Sequence, residues 1–177
     1  MLSLTRSGEM NGTTPQIQVV EQFDPLAMQA FRRRPDVYWP AADALSPPPE
    51  AMDFVGHMLH RDVWTIAGML AGHIFGFVEF TRRTSVMAEL SVGFHPQFRG
   101  TIARAVIQFA IKKAFEEKGL VKLCAPIASD NRQAIMGARL IGFKEEGRLT
   151  RAIVRQVKSG PPLRDLVIMG LSKETRE

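Results

Sequence analysis

The sequence predicts an α+β domain: a mixed, mostly antiparallel twisted sheet of about seven strands with flanking helices. Three observations carry this prediction. The apolar period changes along the chain, helical near residue 25, alternating between 62 and 94, and helical again from 101. The resulting order is one strand, two helices, three strands, a helix, a strand, a helix and two strands, with a single strand–helix–strand crossover. The length, 177 residues of which 45% are hydrophobic, suits one domain that buries roughly two thirds of its unfolded surface without staples.

Residues 1–16 are polar and aperiodic and read as an arm, 17–173 as the single domain, and 174–177 as a tail. Ile17 to Phe23 is short and β-branched, a strand. Asp24 then caps a helix with Pro25 at its first position, running through Phe31 and stopping before Pro35. Pro35 to Pro49 reads as a loop and Glu50 to His60 as a second helix. Asp62 to Met69, His73 to Arg83 and Val86 to Phe94 form a meander with short turns. From Thr101 to Lys118, Arg104, Gln108, Lys112 and Glu116 recur as a water-facing stripe on an otherwise apolar helix that Gly119 ends. Val121 to Ala128 is a strand. Asp130 and Gln133 look like a capping box for a short helix with Ala134, Ala138 and Ile141 inward and Gly142 closing it. Phe143 to Val157 and Leu163 to Leu171 make a last hairpin.

Composition excludes several classes. One cysteine, Cys124, and four scattered histidines leave neither a disulfide framework nor a Cys-rich zinc module, and no metal site is expected. There is no secretory apolar core and no run of about 18 apolar residues, so no membrane partner is expected and the expected compartment is the cytoplasm. The net charge of +5 is uneven: Arg99 to Lys158 holds thirteen Lys and Arg against five acids. The aromatics lie on apolar faces, so this excess offers no stacking platform for nucleic acid. It suits a smaller polyanion. A strand runs through His95 and Pro96 into a loop with Gly100 that opens the long helix between Arg99 and Arg104, and a helix N-terminus attracts phosphate through its unpaired N–H groups and dipole.

Asn131, Ala134, Gly142 and Phe143 follow the pattern N-x-x-A, seven residues, G-F. With the strand order and the Gly100 loop, the chain from Ile17 to Lys173 resembles the GNAT superfamily of acetyl-CoA-dependent N-acyltransferases. Gly142, Phe143, Glu146, Gly147 and the late strand Asp165 to Leu171 look most like the branch that acetylates ribosomal-protein N-termini. The resemblance implies acetyl-CoA as co-substrate, a primary amine as acceptor, and an acyl-CoA N-acyltransferase fold.

It also implies roles for individual residues. The diphosphate would lie on Gln97, Arg99, Gly100, Thr101, Ile102, Ala103 and Arg104. The family's pattern has Gly or Ala at position 102, where backbone nears the diphosphate; here Ile102 stands there and Ala103 comes one residue late. The pantetheine arm would pair with Val92, Gly93 and Phe94, with Gly93 at a bulge that splays the fourth and fifth strands and a nearby N–H as oxyanion donor. Asn131 would contact the cofactor or a water, or serve only to start its helix. Glu89 would be the general base, with Glu79 a second choice. Many members carry Tyr seven residues after the Asn; here that residue is Ala138, which leaves Ser129 or a water as general acid. Cys124 reads as a small core residue. The acceptor would enter between Arg34–Pro49 and the last hairpin.

Ile102 and Ala138 also allow an alternative: a catalytically degenerate member serving as a structural or assembly component of a larger particle, or as a homo-oligomer. Phe98 to Arg104 (FRGTIAR) is similar to acetyltransferase-like proteins of tailed phages, some of them virion parts, and on that reading the location would be the virion.

Overall fold

Seven strands form one sheet: β1 (Ile17–Val20), β2 (Val63–Leu70), β3 (His73–Arg82), β4 (Met87–Phe94), β5 (Lys122–Ala128), β6 (Lys144–Val154) and β7 (Leu163–Ser172). Their spatial order is β1-β2-β3-β4-β5-β7-β6, and every pairing is antiparallel except β4 with β5. Among the described residues the helices are α1 (Pro25–Arg32), α2 (Pro35–Tyr38), α3 (Thr101–Glu117) and α4 (Arg132–Ile141), with residues 56–58 also helical and a 3-10 turn at Pro96–Phe98. This computed structural model describes residues 16–38, 56–155 and 162–173; the arm, most of the Pro-rich loop, the start of the expected second helix and the tail lie outside them.

The predicted class and strand order hold. Alternation sends Val78, Phe80, Leu90 and Leu123 to one face, where Val106, Ala110 and Ala114 of α3 cover them in the main core. The opposite face is covered over β2 and β3 by α1 and α2, where Met28, Phe31, Val37, Ala67 and Phe77 form a second cluster. A register shift in the β2–β3 pairing leaves Phe75 without a cross-strand partner, next to Ile74. Phe75 thereby joins the main core beside Phe94 and Phe98 while Ile74 packs against the second cluster.

Three expectations need correction. Pro35 begins a helical turn, because proline fits a first helical position and Val37 then docks in the second cluster. β1 stops at Val20, where its pairing with Ala67 of β2 ends. The N-cap of α4 is Asn131, not Asp130: Asn131 N–H donates to Ala128 O at 2.9 Å, and its side-chain oxygen accepts from Ala134 N–H at 3.2 Å. Ile135, Ala138 and Ile141 pack inward from α4, so the residue where the family often carries Tyr helps hold the helix to the core.

Candidate active site

β4 and β5 share three rungs, Met87–Lys122, Ala88–Leu123 and Glu89–Cys124, although β4 continues to Phe94 and β5 to Ala128. Beyond Glu89 the two strands part. The parting does not come from a bulge at Gly93, since β3 pairs with β4 in unbroken register from Arg82–Ala88 to Gly76–Phe94. Gly93 is required for another reason: a Cβ there would meet the Phe77 ring and come within 2.9 Å of Val37 Cγ1. The parting begins where the β4–β5 ladder ends.

His95 N–H donates to Phe75 O at 2.8 Å, which sets the phase of the β3–β4 ladder. Odd-numbered residues of β4, Gly93 among them, spend their backbone groups on β3, while Val92 and Phe94 direct theirs toward β5. Of the three residues expected to meet an extended ligand, Val92 and Phe94 present backbone to the gap and Gly93 does not. The Phe94 carbonyl accepts from Arg99 Nε at 3.1 Å.

The gap opens at the N-terminus of α3. Gly100 is the N-cap at φ 91°, with no side-chain cap and open space where a Cβ would stand, so the first N–H groups of the helix lie bare beside it. Gln97, Arg99, Thr101 and Arg104 are exposed around this cap. Ile102 packs against the main core and Ala103 is buried, so the β-branched side chain expected to narrow the approach is turned away from it. Arg99 carries a load its sequence position did not suggest. Besides Phe94 O, it donates from Nη2 to Asp36 O at 2.5 Å and ties α2 to the end of β4.

Glu89 stands on the last rung, on the face shared with α1 and α2. Arg83 donates to its Oε2 from Nε at 3.1 Å and Nη2 at 2.7 Å, and the carboxylate is only partly covered. Ser91, exposed, is two residues further along the same face, about 7 Å away by strand geometry. Ser129 follows β5 near the open end, five residues past Cys124 and thus roughly 16 Å along the strand, so Glu89 and Ser129 are not brought together. Arg83 and Ser91 were legible only through the alternation of β4 and the tight β3–β4 turn.

Glu79 is a different group. It is 4% exposed, accepts from Arg32 Nη1 at 2.5 Å, and lies 3.1 Å from His57 Nε2 and 3.3 Å from Thr65 Oγ1. Burial alone would raise its pKa; His57 and Arg32 outweigh that and hold it down to about 2. It is too weak a base to accept a proton from an amine. Cys124 is half-buried beside Glu89 and belongs to neither core cluster; burial first and the Glu89 charge second push its thiol up, so it stays protonated near neutrality.

Among the described residues, two cavities lie near these elements. One of about 330 Å³ is mostly apolar, between the β2–β3 hairpin and the 3-10 turn, lined by Leu70, Ile74, Phe75 and Phe98 among others. One of about 270 Å³ lies past the end of β5, lined by Asp130, Asn131, Arg132, Gln133 and Arg155. Among the described residues no group of three or more His, Cys, Asp or Glu is placed to hold a metal, and no helix is long and apolar enough to cross a membrane.

The sequence profile of the acetyltransferase (GNAT) family matches residues 26–143, and the chain belongs to that family. Acetyl-CoA is the co-substrate of the family, and the bare start of α3 and the gap-facing backbone of β4 fit a diphosphate joined to an extended arm. No curated protein matches the chain in sequence. Among solved structures, the fold is similar to a candidate acetyltransferase from Acinetobacter baylyi (18% identity, TM-score 0.77, covering 92% of this chain and 96% of that one). It is also similar to spermidine N-acetyltransferase from Vibrio cholerae in complex with CoA and spermine (19%, 0.69, 89% and 95%). A third similar structure is a GNAT-family acetyltransferase from Streptococcus pneumoniae (19%, 0.71, 89% and 100%).

Proposed function

We propose that this chain is an N-acetyltransferase that moves the acetyl group of acetyl-CoA to a primary amine, of a protein N-terminus or a small molecule, by direct attack. The carrying observation is the early end of the β4–β5 ladder, which leaves a slot floored by the Glu89–Cys124 rung and opening onto the bare start of α3. Gln97, Gly100, Thr101 and the backbone of Ile102 and Ala103 would hold the diphosphate, with Arg104 supplying charge. Val92 and Phe94 would pair with the arm, and an N–H of one of them would meet the carbonyl oxygen. Bound acetyl-CoA supplies an activated thioester.

Glu89 takes a proton from the ammonium, directly or through a water, freeing the nitrogen lone pair. A nitrogen–carbon bond then forms, the carbon–sulfur bond breaks, and the second proton shed by the nitrogen passes through water to the departing thiolate, for which Ser91 is a nearer support than Ser129. Ser129 and Asn131 then flank the mouth. The acceptor enters on the α1–α2 side, since Glu89 and Ser91 face that way. We read residues 17–173 as one catalytic domain acting in the cytoplasm, with 1–16 and 174–177 as appendages. The ribosomal-protein branch is the finer assignment that Gly142, Phe143, Glu146 and Gly147 favour.

The test is release of free CoA thiol from acetyl-CoA with a panel of peptides and small amines. Turnover with at least one acceptor is expected. A chain that binds acetyl-CoA yet releases no thiol with any of them would favour the assembly reading, which keeps Ala138 as its support but loses Ile102, since that side chain is partly buried and packs against the core.

A further inference from the structure

Arg99 has different partners by sequence and by fold. The pattern around Gly100 offers it to the diphosphate, yet the Nε and Nη2 edge of its guanidinium is engaged by two main-chain carbonyls, Phe94 O at 3.1 Å and Asp36 O at 2.5 Å. Both acceptors are left open by local structure. α2 ends two residues past Asp36, so no N–H of the helix reaches Asp36 O, and a planar fork suits such a carbonyl at a helix C-terminus. Phe94 lies beyond the last rung that β4 shares with β5, so its carbonyl has no strand on that side. The main chain of Arg99 is held as well. Its N–H donates to Pro96 O at 3.3 Å and Phe98 N–H donates to His95 O at 2.9 Å, which closes the turn leading into Gly100.

α2 in turn bounds the acceptor side. Glu89, Ser91 and Gly93 follow one another on the face shared with α1 and α2; Ser91 is exposed, and at Gly93 the face is closed by Val37, whose Cγ1 would stand 2.9 Å from a Cβ there. The other ties of α2 include the docking of Val37 in the second cluster and His95 Nε2, 3.9 Å from Asp36 Oδ2. The Arg34–Asp36 pair is exposed and local, so it anchors the helix to nothing else. One guanidinium therefore joins three parts: the gap-facing end of β4, the turn that carries the cap of α3, and the wall beside Ser91.

We propose that Arg99 is a positioning residue that carries the occupancy of the donor site to the acceptor wall. A diphosphate on the N–H groups at the start of α3 steadies the turn over 95–100; Arg99, fixed in that turn, then holds α2, so the wall beside Ser91 is set when acetyl-CoA is bound. The identity of the two ligands rests on the acetyltransferase reading. The guanidinium itself stays on its carbonyls and takes no phosphate. Lysine keeps the charge beside Gly100 but lacks the planar fork, so Arg99→Lys separates a tether from a phosphate ligand.

Hydrogen exchange of the full chain with and without CoA reads this link without an acceptor. In the wild type, CoA is expected to slow exchange at the amides of Asp36, Val37 and Tyr38 as well as across 95–104. In Arg99→Lys, the protection of 95–104 should remain, with a CoA Kd within about twofold of wild type, and that of 36–38 should be lost. Turnover gives the second readout: with peptides bearing a free N-terminus and with spermidine as acceptor probes, Arg99→Lys should raise the acceptor KM roughly tenfold and leave the acetyl-CoA KM unchanged. Asp36→Asn, which keeps the main-chain carbonyl, should match the wild type in both. A CoA Kd weakened about tenfold or more in Arg99→Lys returns Arg99 to the diphosphate and overturns the proposal. Protection of 36–38 that is absent in the wild type or survives in the variant, or an unchanged acceptor KM, overturns it too. A wild type that shows the CoA-linked protection of 36–38 yet acetylates none of the probes overturns the acetyltransferase reading and upholds the link; one that binds no CoA overturns both.

Discussion

Glu79 and Glu89 lie on the same face of neighbouring strands, and their surroundings give them opposite uses. Around Glu79 the sheet is roofed by α1 and the turn before β2; Arg32, His57 and Thr65 converge on it and hold it charged and buried. Around Glu89 the roof ends, one arginine steadies one oxygen, and the ladder to β5 stops. A carboxylate that Arg32 and His57 clamp at a pKa of about 2 is an anchor. A carboxylate beside an opening is available for proton traffic. The same residue type on the same face becomes structural or chemical according to what covers it.

The largest effect expected from this contrast is on stability. Glu79→Gln should cost on the order of 3 kcal/mol, the scale of its shift from 4.5 to about 2, and lower Tm by roughly 10 °C. Because its folded pKa is depressed, the contribution is fully present above pH 4.5 and is lost as pH falls from there towards 2. The variant should therefore show a flatter acid unfolding profile than the wild type across that window; identical profiles would break the anchor assignment.

Next in size, Glu89→Gln should leave Tm and acetyl-CoA affinity unchanged and lower kcat roughly 100-fold, on the scale of a lost general base. A kcat within a fewfold of wild type would move the base elsewhere.

The smallest effect sharpens the same distinction at the helix start. Ile102→Ala should cost about 1–2 kcal/mol, as for a partly buried core residue, while changing acetyl-CoA affinity less than about twofold. A marked gain in affinity with no loss of stability would mean that the side chain stands over the diphosphate after all.

The strand order, the one parallel crossover and the Gly100 helix start were legible because alternation, helical period and turn residues are local signals. What was not legible depends on register and on partners far along the chain. The irregularity beside Phe75 changes the facing of part of β3 without a mark in the alternation. Asn131 and Asp130 are both good caps, and the last rung of β5 decides between them. Arg99 looks like a phosphate ligand from its neighbours, and only the fold brings Asp36, 63 residues away, to its guanidinium. Glu79 and Glu89 both sit in alternating strands, and their difference lies in Arg32, His57 and Arg83, which no spacing rule joins to them.

The central claim is that the parted strands and the start of α3 form a donor site. Isothermal titration of the full chain with acetyl-CoA tests it most directly. Binding of one equivalent with a Kd of roughly 1 μM to 1 mM, the usual enzyme–substrate range, is the result this account predicts. No detectable heat at millimolar acetyl-CoA, with the chain folded, would contradict it.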